Sequence, residues 1–314
     1  MDMMMLFKGL ADDTRLRIML LLQAMELSVG ELAAVLAQSQ PRVSRHLKIL
    51  DAAGLIERRK EGSWVFLRPA LPRLASPAAK HLDAFLRRHE ALGNALVQQH
   101  TKDCTRLHAI IADREQRAAN FFAEHADHWD AIRSLHIPET KVEGALEELI
   151  GDEHLGRFLD IGTGTGRMIE LFFNRAKHCI GLDRSPEMLR LARAKLQHFA
   201  ASNVELVLAD FNALPSFNDG FQTIMLHQVL HYAQNPQTVI DEAAKVAAAG
   251  AQIVIVDFAA HSLDELRERH AHARLGFSDE QMLTMLAKAG FSQFKTLSLS
   301  GGTLTVKIWR GVLT

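Results

Sequence analysis

Five short apolar, β-branched runs recur through the last two thirds of the chain: Arg157-Phe158-Leu159-Asp160, Cys179-Ile180-Gly181-Leu182-Asp183, Val204-Glu205-Leu206-Val207-Leu208, Thr223-Ile224-Met225-Leu226 and Gln252-Ile253-Val254-Ile255-Val256. Helix-length segments separate them. Strands covered on both faces read as continuous apolar runs, and parallel neighbours need long crossovers, usually helical. The pattern therefore predicts a parallel, doubly wound α/β sheet of Rossmann-like type. Two further runs, 294–299 and 303–309, flank Gly301-Gly302 and predict a closing hairpin.

That sheet leaves the first third to be explained, and 314 residues are enough for two domains and a connector. In the first part, Asp12-Asp13 precede an apolar helix, and Ser28 with Glu31 forms a capping box opening a second. A third follows at once, with Ser39 as its cap, Pro41 in its first turn and Val43, Leu47 and Leu50 at helical spacing. Two short helices closely joined predict a helix-turn-helix. Two strand-like runs around Glu61-Gly62 add a wing. The middle part keeps a three- or four-residue rhythm: Leu82, Leu86, His89, Gly93, Leu96, His100, Cys104, Leu107 and Ile111. It predicts a long helix with one buried face, completed most simply by a second copy of the chain. The expected layout is an α+β winged helix-turn-helix over 1–72, a connecting and dimerising helix over 73–113, and the α/β domain over 114–314.

Lysine and arginine number 36 against 37 aspartates and glutamates, so the molecule is no polycation and affinity for DNA must come from a local patch. Two cysteines, Cys104 and Cys179, are too few for a disulfide framework and suit a reducing compartment. The apolar stretch 246–260 is broken by Gln252 and Asp257, short of the roughly 20 residues a membrane span needs. A cytoplasmic protein without membrane contact is expected.

Asp160-Ile161-Gly162-Thr163-Gly164-Thr165-Gly166 follows the first strand. Alternate glycines let the backbone turn tightly and approach a ligand closely. The spacing is not the dinucleotide fingerprint, and no Lys-Ser/Thr follows to grip a phosphate. Asp183 ends the second strand, where a carboxylate can accept both hydroxyls of a ribose, and Asp210-Phe211 follow the third, beside an adenine's expected place. With Met225-Leu226-His227-Gln228 at the fourth strand's end, the segment resembles class I S-adenosylmethionine-dependent methyltransferases. The resemblance implies that Asp160, Gly162, Thr163, Gly164 and Gly166 wall the methionyl part of the cofactor. It gives Asp183 to the ribose, Asp210 and Phe211 to the adenine with Met188 packed beside it, and counts His227 and Gln228 at the fourth strand's end among the cofactor-binding residues.

His231, just past the fourth strand, matches the position of the general-base histidine in small-molecule O-methyltransferases; the other reading is a polar residue satisfied in structure. His261, His270, His272 and Arg274 form either part of a substrate lid or a solvated face. Residues 121–130 resemble the segment that lids the cofactor. Arsenite as a methyl acceptor is excluded, because the domain has a single cysteine, Cys179, inside a strand.

Residues 39–50, followed by Ala53-Gly54-Leu55-Ile56, and the earlier stretch 10–18 resemble the ArsR family of winged-helix repressors. With Val43, Leu47 and Leu50 turned inward, Gln40, Arg42, Ser44, Arg45, His46 and Lys48 face a DNA groove, and Arg58, Arg59 and Lys60 the wing's side of the duplex. From Gln40 to Arg68, seven basic residues stand against three acidic ones, a local excess of four. Cysteines that sense metals in many ArsR proteins are missing: Ser28 and Gly30 stand there. His100, Cys104 and His108 share a helical face and are read as packed, so no metal site is expected. The expectation is a homodimeric, DNA-binding transcriptional regulator. Its C-terminal domain takes S-adenosylmethionine or S-adenosylhomocysteine as effector, with methylation of a small molecule open to it. The alternative is a small-molecule methyltransferase that uses the winged helix only to dimerise.

Overall fold

The computed structural model describes residues 3–24, 27–61, 64–70, 93–125, 137–151, 154–197 and 203–314, with 81, 84, 86 and 199. The wing's Gly62, most of the connector before residue 93 and the lid residues 126–130 lie outside the described residues, as do the side chains of Arg59, Lys60 and 121–123. The chain divides into two compact units, Met1–Gln116 and Arg117–Thr314.

In the first unit, α1 (Met3–Leu10) and α2 (Asp13–Ala24) lead into the two-residue strand β1 (Leu27–Ser28), α3 (Val29–Leu36) and α4 (Gln40–Ala52). The Asp12 carboxylate accepts the Arg15 N–H at 3.1 Å and starts α2. The capping box forms: Ser28 Oγ accepts from Glu31 N–H at 3.3 Å, and Glu31 Oε2 accepts from Ser28 N–H at 2.7 Å. Ser39 stands at the N-cap of α4, but its side chain makes no capping bond; Pro41 alone supplies the expected start signal. Ile18, Leu21, Leu32, Val35, Val43, Leu47 and Leu50 form one core. β2 (Ile56–Glu61) and β3 (Trp64–Pro69) pair antiparallel, and β1 joins them in the order β1-β3-β2. Helix α5 (Asn94–His125) runs for 32 residues. Its buried stripe is narrower than the spacing predicts: Leu107 is in the core, His100 and Cys104 are half-buried against each other, and His108 is exposed.

The second unit is built on a seven-stranded sheet in the order β6-β5-β4-β7-β8-β10-β9. Its strands are β4 (Gly156–Ile161), β5 (Ala176–Asp183), β6 (Val204–Leu208), β7 (Phe221–His227), β8 (Ala247–Phe258), β9 (Phe291–Leu299) and β10 (Val306–Leu313). Those from β4 to β8 are parallel, while β10 lies antiparallel to both neighbours. Helices α6 (Glu139–Ile150), α7 (Arg167–Phe172), α8 (Pro186–Leu196), α9 (Pro236–Val246), α10 (Glu265–Arg269) and α11 (Asp279–Lys288) complete the unit. Alternate residues along each strand supply opposite faces. Phe158, Met225 and Val254 enter one core, and Leu159, Ile224 and Ile253 the other. The chain enters the sheet at β4, winds outward to β6 and returns to β7 on the other side. The reversal between β4 and β7 opens a crevice at the carboxyl ends of the strands.

Candidate functional sites

Two sites follow from these elements, one in each unit. On α4, the buried row Val43, Leu47 and Leu50 fixes the opposite face as Pro41, Arg42, Arg45 and Lys48, all exposed, with Gln40 exposed beside them and Ser44 half-buried. Ile49, 44% exposed, adds an apolar contact surface to that face that charge counting could not find. His46 is turned away: its ring is half-buried, with Nδ1 3.5 Å from Asp12 Oδ1. Arg58 Nε donates to Asp51 Oδ2 at 2.8 Å and ties the hairpin to the end of α4, while Arg68 pairs with Glu57 across the strands.

In the second unit, a cleft occupies the switch point. Of the residues expected there, Asp160, Gly162, Thr163, Gly164, Asp183, Met188, Phe211, His227 and Gln228 line it. Met168, Arg184, Val229 and Tyr232 also line it and were not foreseen. Gly166, Asp210 and His231 are not part of the lining. A Cβ at Gly166 would meet Leu196 at 2.8 Å, so that glycine serves the packing of α7 on α8. Asp210 Oδ1 accepts from the backbone and side-chain N–H groups of Asn212, closing a turn.

The loop after β4 is held from both ends. Gly162 and Thr163 donate their N–H groups to Leu182 O at 2.7 and 2.9 Å, and Gly164 N–H donates to Asp183 Oδ2 at 2.9 Å. At Gly162 (φ +72°) a Cβ would stand 2.4 Å from Val229, so the first glycine is required by close approach as well as by backbone conformation. Asp160, 1% exposed, accepts the Thr163 hydroxyl at 2.6 Å. Burial pushes the Asp183 carboxyl up, against the pull of the Ser185, Gly164 and Arg184 N–H groups and the Arg184 charge.

The donor set fits S-adenosylmethionine. Two carboxylates, Asp160 and Asp183, and the apolar side chains of Met168, Met188, Phe211 and Val229 line the cleft beside the polar Thr163, Arg184, His227, Gln228 and Tyr232, which suits a cationic ligand with an apolar base. The loop itself offers no cation to a phosphate.

Behind Tyr232 stands a group the sequence reading only half identified. Asp257, fully buried at the end of β8, accepts from His231 Nδ1 at 2.8 Å and from its backbone N–H at 3.1 Å. A carboxylate on Nδ1 places the ring proton there and leaves Nε2 as the basic nitrogen. Nε2 is buried and hydrogen-bonded to no described protein atom. The ring packs 4.1 Å from Tyr232 and 4.1 Å from His272, measured between centroids. Burial, and secondarily the Asp257 charge, keep the Tyr232 hydroxyl protonated well above its usual range. His272 and Arg274 are buried rather than solvated, and Arg274 donates to His231 O at 2.9 Å and Gln234 O at 2.7 Å. Cys179 is buried, its thiol pushed up to about 12 by burial and the Asp160 charge, and cannot offer a thiolate. Among the described residues no cluster of three His, Cys, Asp or Glu side chains is placed to hold a metal, and no helix is long and apolar enough to cross a membrane.

Two family models match the chain: "Bacterial regulatory protein, arsR family" over residues 12–58, and "Methyltransferase domain" over residues 152–290. The arsenical resistance operon repressor of Escherichia coli K12 is 46% identical over 94 residues, 30% of this chain and 80% of the repressor. The phosphatidylethanolamine N-methyltransferase of Cereibacter sphaeroides is 33% identical over 103 residues, 32% of this chain and half of that enzyme. The methyltransferase solved with the Haloferax volcanii Trm112 activator shares the fold. It has a TM-score of 0.50 at 18% identity, over 62% of this chain and 96% of that one.

Proposed function

Because the chain belongs to the arsR family of bacterial regulatory proteins and carries a class I methyltransferase domain, we propose that it is a transcriptional regulator whose DNA affinity answers to S-adenosylmethionine or S-adenosylhomocysteine. The observation that carries this reading is the coexistence, in one chain, of an exposed basic face on α4 and an acid-lined cleft at the switch point of the sheet. Arg42, Arg45 and Lys48, with Gln40, serve bases and phosphates. Asp183 accepts the ribose hydroxyls, Met188 and Phe211 flank the adenine, and Asp160 with the loop of Gly162 and Gly164 faces the methionyl end. When bound, S-adenosylmethionine supplies a methyl group on a sulfonium for in-line displacement. The exposed side chains Met4, Met5 and Phe7 on α1 support a homodimer, and a cytoplasmic location follows from regulation of DNA.

The same cleft supports turnover on a small molecule. The paired Asp257 and His231 stand behind Tyr232, outside the lining, and favour an acceptor that must lose a proton, with Nε2 taking it once Tyr232 moves aside. Residues 26–32 hold no cysteine, so this reading routes no signal through a thiolate there.

The experiment is titration of the full chain onto duplexes it selects from a random library, with and without each ligand. A change of tenfold or more, about 1.4 kcal/mol of coupling, is expected with one of them. Selection of a sequence with equal affinities in all three conditions removes the sensor; failure to select any sequence favours an enzyme whose helix-turn-helix only dimerises.

A further inference from the structure

Helix α3 ends at Leu36, and a helix leaves its last four carbonyls without partners of its own. Here all four are met. Gln38 N–H donates to Ala33 O at 3.0 Å and Ala37 N–H to Ala34 O at 3.2 Å, with Ala37 in the left-handed region (φ +53°). The remaining two are met from other helices. Arg106 Nη1 donates to Val35 O at 3.2 Å, and Arg17 Nη2 to Leu36 O at 3.4 Å.

One carboxylate holds both guanidinium groups. Asp103 of α5, fully buried, accepts from Arg17 Nε at 2.6 Å and Nη2 at 2.8 Å, and lies 3.5 Å from Arg106 Nη1. Gln99 Nε2 donates to it at 3.2 Å. A two-pronged arginine–carboxylate pair fixes direction as well as charge, and cations at a helix C-terminus complement its dipole. Stability gives little reason for such a cluster, since apolar replacements of buried ion pairs are often neutral or better. Its geometry gives one. Gln38, in the same turn, donates to Thr14 Oγ1 at 3.3 Å, and two residues further on α4 begins.

We propose that Asp103 is a positioning residue for the DNA-reading helix. Through Arg17 and Arg106 it clamps the end of α3 and so sets the turn from which α4 departs. The assignment rests on the reading that α4 contacts DNA, and the aspartate acts without touching DNA itself.

The test compares the full chain with Asp103→Asn and Arg106→Gln on two duplexes, the one the wild type selects and a scrambled one, across a salt series. Arg106 is 44% exposed, so its variant keeps the test sound if Asp103→Asn fails to melt cooperatively. Each folded variant is expected to lose about tenfold or more on the selected duplex, as for one or more wrong base pairs. Scrambled DNA and the salt slope should stay nearly unchanged. Wild-type preference in both variants would overturn the proposal. So would an Arg106→Gln loss that is equal on both duplexes with the salt slope reduced by about one, which makes Arg106 a phosphate contact. A wild type that selects no sequence removes the DNA reading and the clamp's role with it.

Discussion

The imidazole of His231, buried behind the cleft residue Tyr232, is enclosed by its neighbours. Asp257 takes Nδ1, Tyr232 and His272 cover the ring, and Arg274 holds the backbone carbonyl. Nitrogen-15 spectra of the full chain are therefore expected to show His231 protonated at Nδ1 and unprotonated at Nε2 in its neutral form. A proton found on Nε2 would remove the basic nitrogen from the mechanism. In Asp257→Ala, three N–H donors lose their acceptor, and unfolding should become easier by roughly 1–3 kcal/mol per group left unpaired. The pair was only half legible in the sequence. His231 stood out by its place after a strand, whereas Asp257 sits inside an apolar run and its partner lies 26 positions earlier. His46 was misplaced for a related reason. Helical spacing sets it at the flank of α4, and only the fold reveals that Asp12, between α1 and α2, lies beside its ring.

At the level of elements, α11 and β10 are fastened by one carboxylate. Asp279 accepts from Lys307 Nζ at 2.6 Å and from Trp309 Nε1 at 2.8 Å. Burial alone would raise its pKa, but the two hydrogen bonds and the Lys307 charge outweigh it and hold the group below the usual carboxylate range. A depressed pKa contributes stability that is complete above the unfolded value and fades as pH falls through the folded one. Thermal unfolding of Asp279→Asn should thus lie below the wild type at pH 7, by about 1 kcal/mol at most for a half-exposed group. The difference should close below about pH 4. A gap that stays constant from pH 7 to pH 2 would show that the contact does not depend on the charge. The strands themselves were legible because burial on both faces demands unbroken apolar runs. Their order in the sheet was not, since local pattern carries no record of which strand lies beside which.

For the whole molecule, the near-zero net charge conceals a division of labour between two units of different chemistry. Met4, Met5 and Phe7 are 59, 46 and 57% exposed on α1, while Leu6 and Leu10 of the same helix are buried. An exposed apolar row beside a buried one is what a second copy would cover. Sedimentation at micromolar concentration is expected to give a dimer of the 35.0 kDa chain, and Phe7→Glu to shift it toward monomer with cooperative melting preserved. A monomeric wild type would contradict this assembly. Length and pattern alone suggested two domains, and the connector could be read only as an amphipathic helix. Asp103 was invisible because its partner, Arg17, lies 86 residues away.

The position of β10 between β8 and β9 has a bearing on how the protein is made. A ribosome delivers β9 before the strand that must separate it from β8. Without residues 306–313, β9 has no correct neighbour, and β8 offers it a vacant edge in the wrong place. A chain cut short before residue 306 would leave β8 and β9 with unpaired edges, the condition in which strands pair wrongly or with other chains. The sheet of the second unit thus closes only through β10.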